Sequence, residues 1–227
     1  MTFRDRAHAG RLLARELERF RAERPIVFGL ARGGVPVAFE VARLLDAPLE
    51  PMVVRKLGAP GCPEFALGAI AEGGTAYINP EALLEVGLSD AEVGALAERE
   101  EAELERRVRA YRGVSRFPDV SGRTVILVDD GIATGATARA AGRAARSAGA
   151  DRVVLAAPVI AASSAPELRQ EFDEVVAVQL PSQFIAVGLW YEHFGQVSDE
   201  EVVEVVRRAR AARVEDDDRP PGERMGP

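Results

Sequence analysis

The segment Val125-Ile126-Leu127-Val128-Asp129-Asp130-Gly131-Ile132-Ala133-Thr134-Gly135-Ala136-Thr137 constrains this chain more than any other. Four consecutive apolar residues, mostly β-branched, read as a strand covered on both faces, as in a parallel sheet. Asp129 and Asp130 end that run abruptly. Two adjacent acids repel each other unless something neutralises or hydrogen-bonds them, and ligands of open α/β sheets bind at this edge. The small residues from Gly131 to Thr137 let backbone amides approach a ligand, and Ala138 to Ala148 form a strong helix-forming run. A helix start carries unpaired N–H groups and partial positive charge, so an anion fits there. Thr134 and Thr137 can donate hydroxyl hydrogen bonds to the same anion. The two carboxylates suit the vicinal hydroxyls of a ribose. Anion and diol would then lie at opposite ends of one short loop, as in a ribose 5'-phosphate. The competing reading is an ordinary strand-loop-helix with a solvated acidic turn.

At 227 residues the chain can bury one good core and a small second lobe. Its 47% apolar and 29% charged content is that of a soluble globular protein. A net charge of −7 argues against broad binding to nucleic acid or an anionic membrane, yet leaves room for a local basic phosphate pocket. Cys62 is the single cysteine, which excludes an internal disulfide and a thiolate metal cluster; we read it as a small, partly buried residue. No stretch has the apolar length of a membrane helix. The start, Met1-Thr2-Phe3-Arg4-Asp5-Arg6, is too charged for a signal peptide, so a cytoplasmic protein is expected.

Leu12, Leu13, Leu17 and Phe20 recur at helical spacing within residues 4 to 22, which Pro25 ends. Strands are expected at 26–30 and 51–56, with a helix from Val35 to Leu45 between them and Pro36 in its first turn. Residues 57–64 are too rich in Gly and Pro for regular structure. Strands follow at 65–71 and 76–78 around Gly73-Gly74. Ser89 caps a long helix to about Arg112, with Val93, Leu96, Ala97, Leu104, Val108 and Tyr111 as its apolar stripe and a solvated charged face. The motif strand at 124–129 precedes strands at 152–158 and 174–180 with a helix near 165–172. Ser198 or Asp199 caps a last helix to about Ala212, and the acidic, proline-containing segment 214–227 reads as disordered. Arg139, Arg143 and Arg146 share one side of the helix after the motif and read as a wet face. Alternation of strands and helices predicts an α/β fold: a Rossmann-like parallel sheet with right-handed crossovers, flanked by helices.

An apolar strand, two acids, a three-residue spacer and T-G-x-T resemble the PRPP-binding motif of type I phosphoribosyltransferases. Two positions depart from it. Ala133 stands where hypoxanthine-guanine type members carry a catalytic Asp, and Ala136 where many members carry Lys or Gly. The resemblance spans roughly residues 1 to 210. In detail the chain looks like a bacterial group of predicted phosphoribosyltransferases, through F-R-D-R near the start, A-R-G-G, V-R-K-x-G-A-P, the Asp-Asp-Gly loop and A-V-G.

That resemblance implies a type I phosphoribosyltransferase core over 1–213, with hood and insertion segments at about 57–112 and 181–197. It implies that Gly131, Ile132, Ala133, Thr134, Gly135, Ala136 and Thr137 hold the 5'-phosphate of PRPP. It assigns pyrophosphate to Ala31, Arg32, Gly33 and Gly34, a loop that in the family often carries a cis peptide; a tight strand-to-helix turn is the alternative. Arg55 and Lys56, beside the Gly/Pro-rich loop, could neutralise the leaving group or be surface charge. Asp129 and Asp130 would hold the ribose hydroxyls and, directly or through water, Mg²⁺; with Lys56 they are the expected catalytic residues. Phe184, Ile185 and Glu192 would contact the base, which points toward a purine-like acceptor, although Phe184 to Gly188 is one residue longer than the family spacing. Trp190 and Tyr191 suit core packing equally well. His8, on the first helix, reads as exposed, and His193, after Glu192, as a polar edge residue. The implied partners are PRPP and a small-molecule acceptor, in a possible homodimer. A non-catalytic PRPP sensor is the second reading, favoured by Ala133. A kinase ranks last, because no G-x-x-x-x-G-K-[ST] loop is present.

Overall fold

Strand β1 (Ile26–Ala31) is the middle of a seven-stranded sheet in the computed structural model, which describes residues 2–113 and 117–217. On one side lie β2 (Leu49–Ala59), β3 (Cys62–Ala71) and β4 (Ala76–Ile78); on the other lie β5 (Thr124–Val128), β6 (Arg152–Val159) and β7 (Glu174–Gln179). The order is β4-β3-β2-β1-β5-β6-β7. The pairs joining β2, β1, β5, β6 and β7 are all parallel, while β3 and β4 are antiparallel additions.

Both faces of the central strands β1, β5 and β6 are covered, which explains their apolar runs. Phe28, Leu30, Val125, Leu127, Val153 and Leu155 point to one face, against α5 (Ala136–Ser147) and α6 (Ala165–Glu171). Val27, Ile126, Val128 and Val154 point to the other, against α1 (Arg6–Leu17) and α2 (Gly34–Leu45). Burying each large side chain of this kind contributes about 1.5–3 kcal/mol. The alanines of α5 let its axis approach the sheet closely, as Ala138, Ala141 and Ala145 have no exposed surface. A third cluster joins α4 (Asp90–Arg112) and α7 (Asp199–Asp217) to Val53, Leu57 and Ile70 of the sheet.

Most expected elements stand where the pattern put them. Ser89 caps α4 through a complete capping box with Glu92. Four readings need correction. Residues 57–64 form the end of a hairpin and not a loop: β2 runs to Ala59, with register shifts at Gly58, β3 begins at Cys62, and Gly61 turns between them at φ +79°. Glycine there relieves the strain of a left-handed turn, and the strands continue despite the composition. A short helix, α3 (Pro80–Val86), was not expected; Asn79 caps it and Pro80 opens it. Cys62 is exposed at the hairpin end. The last helix passes Ala212 and reaches Asp217, so 214–217 are helical; the expectation for 218–227 lies outside the described residues. Among the described residues, no helix is long and apolar enough to cross a membrane.

Candidate active site

The carboxyl ends of β1 and β5 adjoin, so the loops after them face one another. Gly33 and Gly34 are demanded by this approach. A Cβ on Gly33 would lie 2.0 Å from Asp130 Oδ2, and one on Gly34 would lie 2.4 Å from the carbonyl oxygen of Val128. The peptide bond joining Ala31 and Arg32 is cis.

After β5 the chain folds tightly. The Asp130 amide donates to Asp129 Oδ1 at 2.9 Å, and the Ile132 amide donates to the Val159 carbonyl at 2.9 Å. Gly135, at φ +79°, turns the chain into α5. The amides of Ala133, Thr134, Gly135, Ala136 and Thr137 meet no acceptor among the described residues. These are the unpaired donors of a helix start, curled into one loop.

The two acids face different cavities. Asp129 lines a cavity of about 630 Å³ together with the whole 131–137 loop, Lys56 and Arg139. Phe65, Tyr77, Glu81 and Glu85 of β3, β4 and α3 complete its wall. Asp130 lines a second cavity, about 470 Å³, with Arg6, Arg32 and Gly33. Burial, and then the neighbouring Asp130 charge, push the Asp129 carboxyl well above the ordinary range. Burial also raises Asp130, against the opposing pull of Arg6. The Tyr191 hydroxyl donates to the Asp130 carbonyl at 2.5 Å, fixing the backbone where the second acid leads into Gly131.

Lys56 therefore reaches the cavity, but Arg55 does not. Successive strand residues point to opposite faces, and the Arg55 Nε donates to Glu100 on α4 at 2.7 Å. Phe184, Ile185 and Glu192 line neither cavity. Phe184 stacks on Trp190, Ile185 is 87% exposed, and the Glu192 amide donates to the Phe3 carbonyl. Val187 is the residue of that segment that does line the larger cavity, and it packs against Gly131. Tyr191 is buried in the core, while His8 is half-buried and His193 exposed.

Arg139 corrects the expected wet face. Its side chain is 5% exposed and donates to Glu171, to Glu167 and to the Thr134 carbonyl of the loop, at 2.6, 2.7 and 2.7 Å. It also lies over the Tyr77 ring. No local signal marks it, because both acids lie on α6, far along the chain. Arg6 was also missed as a site residue, although it closes the F-R-D-R motif.

A family model described as the phosphoribosyl transferase domain matches residues 5–192. The chain belongs to that family. The match takes in both loops and the strands that carry them, so this phosphoribosyl transferase domain has the expected α/β core. A Mycobacterium tuberculosis protein provisionally named a phosphoribosyl transferase is 47% identical over 208 residues, 91% of this chain and 47% of its own length. The same figures hold for the corresponding protein of a second strain of that organism. The chain thus spans about half the length of the curated relatives it matches. The crystal structure of TT1426 from Thermus thermophilus is 45% identical, covers 92% of this chain and 99% of its own, and superposes with a TM-score of 0.78.

Proposed function

We propose that this domain transfers the phosphoribosyl group of PRPP to a nitrogenous base. One observation carries the reading: the unpaired amides of 133–137, the Asp129 carboxylate and Lys56 border a single cavity. In this reading the amides, with Thr134 and Thr137, hold the 5'-phosphate. Asp129 and Asp130 hold the ribose hydroxyls. The Ala31–Gly34 loop and Lys56 take the pyrophosphate. Segments 57–112 and 181–197 act as the hood.

A ring nitrogen attacks C1 of the ribose, the bond from C1 to the pyrophosphate oxygen breaks, and pyrophosphate leaves with the electron pair. The proton displaced from the ring nitrogen passes to solvent. The transition state carries oxocarbenium character, as in glycoside transfer. The chain's task is to orient PRPP and to neutralise charge on the departing group. Each charge-assisted hydrogen bond contributes about 1.5–3 kcal/mol.

The donor set fits Mg²⁺ carried in by the substrate. Two adjacent carboxylates are present, but no group of three His, Cys, Asp or Glu able to hold an ion occurs among the described residues. Mg²⁺ keeps several waters and binds through one or two carboxylates plus substrate phosphates. Asp129 and Asp130 would hold it, where it would supply charge neutralisation for pyrophosphate. On the acceptor side, Phe65 offers an aromatic face, and Glu81 and Glu85 offer acceptors for ring N–H groups.

The test is pyrophosphate release from PRPP and Mg²⁺ across a panel of nitrogenous bases, with PRPP calorimetry beside it. Release with at least one base, lost in Asp129→Asn and Asp130→Asn, is expected. PRPP binding without release would establish a sensor instead. Absence of PRPP binding would end both readings.

A further inference from the structure

Arg6 is the first residue of α1, where a cation is disfavoured because the helix start is itself positive. Helix formation therefore does not explain it. Its surroundings do. The Asp5 carboxylate caps α1 by accepting from the His8 amide at 2.7 Å. Ahead of it, the Phe3 amide donates to the Trp190 carbonyl, and the amides of Glu192 and His193 donate to the carbonyls of Phe3 and Arg4. Phe3 is fully buried against Tyr191. Residues 3–6 are thus held along the 190–195 segment, and Arg6 is aimed at the end of β5.

There Arg6 Nε and Nη2 reach Asp130 Oδ2 at 2.9 and 2.8 Å. Nη1 donates to the Gly195 carbonyl at 2.7 Å, and the guanidinium lies 4.0 Å from the centre of the Phe194 ring. The two side chains are 12% and 13% exposed. A guanidinium has five N–H donors. These three bonds leave two uncommitted, on a side chain lining the smaller cavity. Arg32 lines the same cavity, and among the described residues its side chain makes one ion-pair contact, a long one of 3.7 Å to Asp199. Two cations thus meet one carboxylate there. The adjacent acids divide between cavities, Asp129 in the larger and Asp130 in the smaller. A ligand with an anion at each end and a diol between them would span both.

We propose that Arg6 is a pyrophosphate-binding residue contributed by the start of α1. It neutralises Asp130 when no ligand is bound, and it directs its spare donors to the pyrophosphate group while Asp130 receives the ribose hydroxyls. This rests on the PRPP reading above. It gives the second Arg of the F-R-D-R motif a role: Phe3 and Asp5 set the position from which Arg6 acts.

Calorimetry with ribose 5-phosphate, inorganic pyrophosphate and PRPP, each with Mg²⁺, tests it on the full chain and on Arg6→Gln and Arg6→Lys. In Arg6→Gln, pyrophosphate and PRPP should weaken by about tenfold or more, as loss of charge-assisted bonds requires. Ribose 5-phosphate, which lacks the second anion, should change by less than about threefold, and Arg6→Lys should recover part of the pyrophosphate affinity. Unchanged pyrophosphate affinity, or equal weakening of all three ligands, overturns the proposal while leaving the PRPP reading intact. If the unsubstituted chain binds none of the three, the PRPP reading falls and this proposal with it. Should Arg6→Gln not fold, Arg6→Lys decides: a loss confined to pyrophosphate and PRPP supports the role, and a uniform or absent change overturns it.

Discussion

Arg112 and Glu72 form a two-pronged ion pair inside the protein, with Nη1 to Oε2 at 2.6 Å and Nη2 to Oε1 at 2.9 Å. Their side chains are 1% and 6% exposed, and Arg112 Nη2 also donates to the Pro51 carbonyl. The pair ties the end of α4 to the sheet. Removing one partner strands the other charge, so Arg112→Met should cost about 3–5 kcal/mol in urea unfolding. Replacing both, as Arg112→Met with Glu72→Leu, should return most of that loss. A single substitution costing under about 1 kcal/mol would show that the pair does not anchor the helix.

Asp199, at the start of α7, joins that helix to α4: its carboxylate accepts from Arg106 at 2.8 Å and from the Tyr111 hydroxyl at 2.5 Å. Those two bonds, Arg106 first, hold its carboxyl below the ordinary value of 3.8. A depressed carboxyl stabilises the fold above its unfolded value and loses that contribution as pH falls through its folded value. Asp199→Asn should lower Tm by about 2–4 °C at neutral pH, the shift expected from ~1 kcal/mol in a chain of this size. The gap between the two proteins should close as pH drops below 3.8. A gap that persists or widens in acid contradicts the assignment.

Neighbouring glycines should respond differently to the same substitution. Gly34→Ala forces a Cβ against the fixed Val128 carbonyl, so the protein should fold poorly and lose several kcal/mol. Gly33→Ala meets the Asp130 side chain instead, so the protein should fold, with Asp130 displaced from Arg6. Its PRPP affinity should fall about tenfold or more, measured by calorimetry beside thermal unfolding. Equal effects of the two substitutions on Tm would refute this contrast.

Arg139 braces the proposed phosphate loop through the Thr134 carbonyl. Arg139→Met keeps the stem but leaves the Thr134 carbonyl without its donor, costing about 1–3 kcal/mol. Ribose 5-phosphate affinity should weaken more than in Glu167→Gln, because the Glu167 side chain is 71% exposed and contributes little. If phosphate affinity survives Arg139→Met, the loop is held by other means.

What the sequence displayed was its local chemistry. The apolar runs at β1 and β5 and the capping pair Ser89 and Glu92 act over neighbouring residues, so their spacing is visible in the chain. The Gly131 to Thr137 loop is equally local. The hairpin at 57–64 was hidden because composition argued for a loop, whereas pairing with β3 decided the outcome. Arg139 and Arg6 were hidden for another reason. Their partners Glu171 and Asp130 are 32 and 124 positions away, and a surface arginine and a buried clamp have the same local pattern. The expected acceptor contacts at Phe184, Ile185 and Glu192 came from resemblance alone, and the tertiary path of that segment turns Val187 toward the loop instead.

Cys62, the chain's single cysteine, sits exposed where β2 turns into β3, a short way along the strand from Phe65 on the cavity wall. A thiol-directed fluorophore would attach there at one defined position, with no mutagenesis needed. Any shift of the hairpin over an arriving molecule would then register directly as a change in emission, even for a base that binds without being turned over.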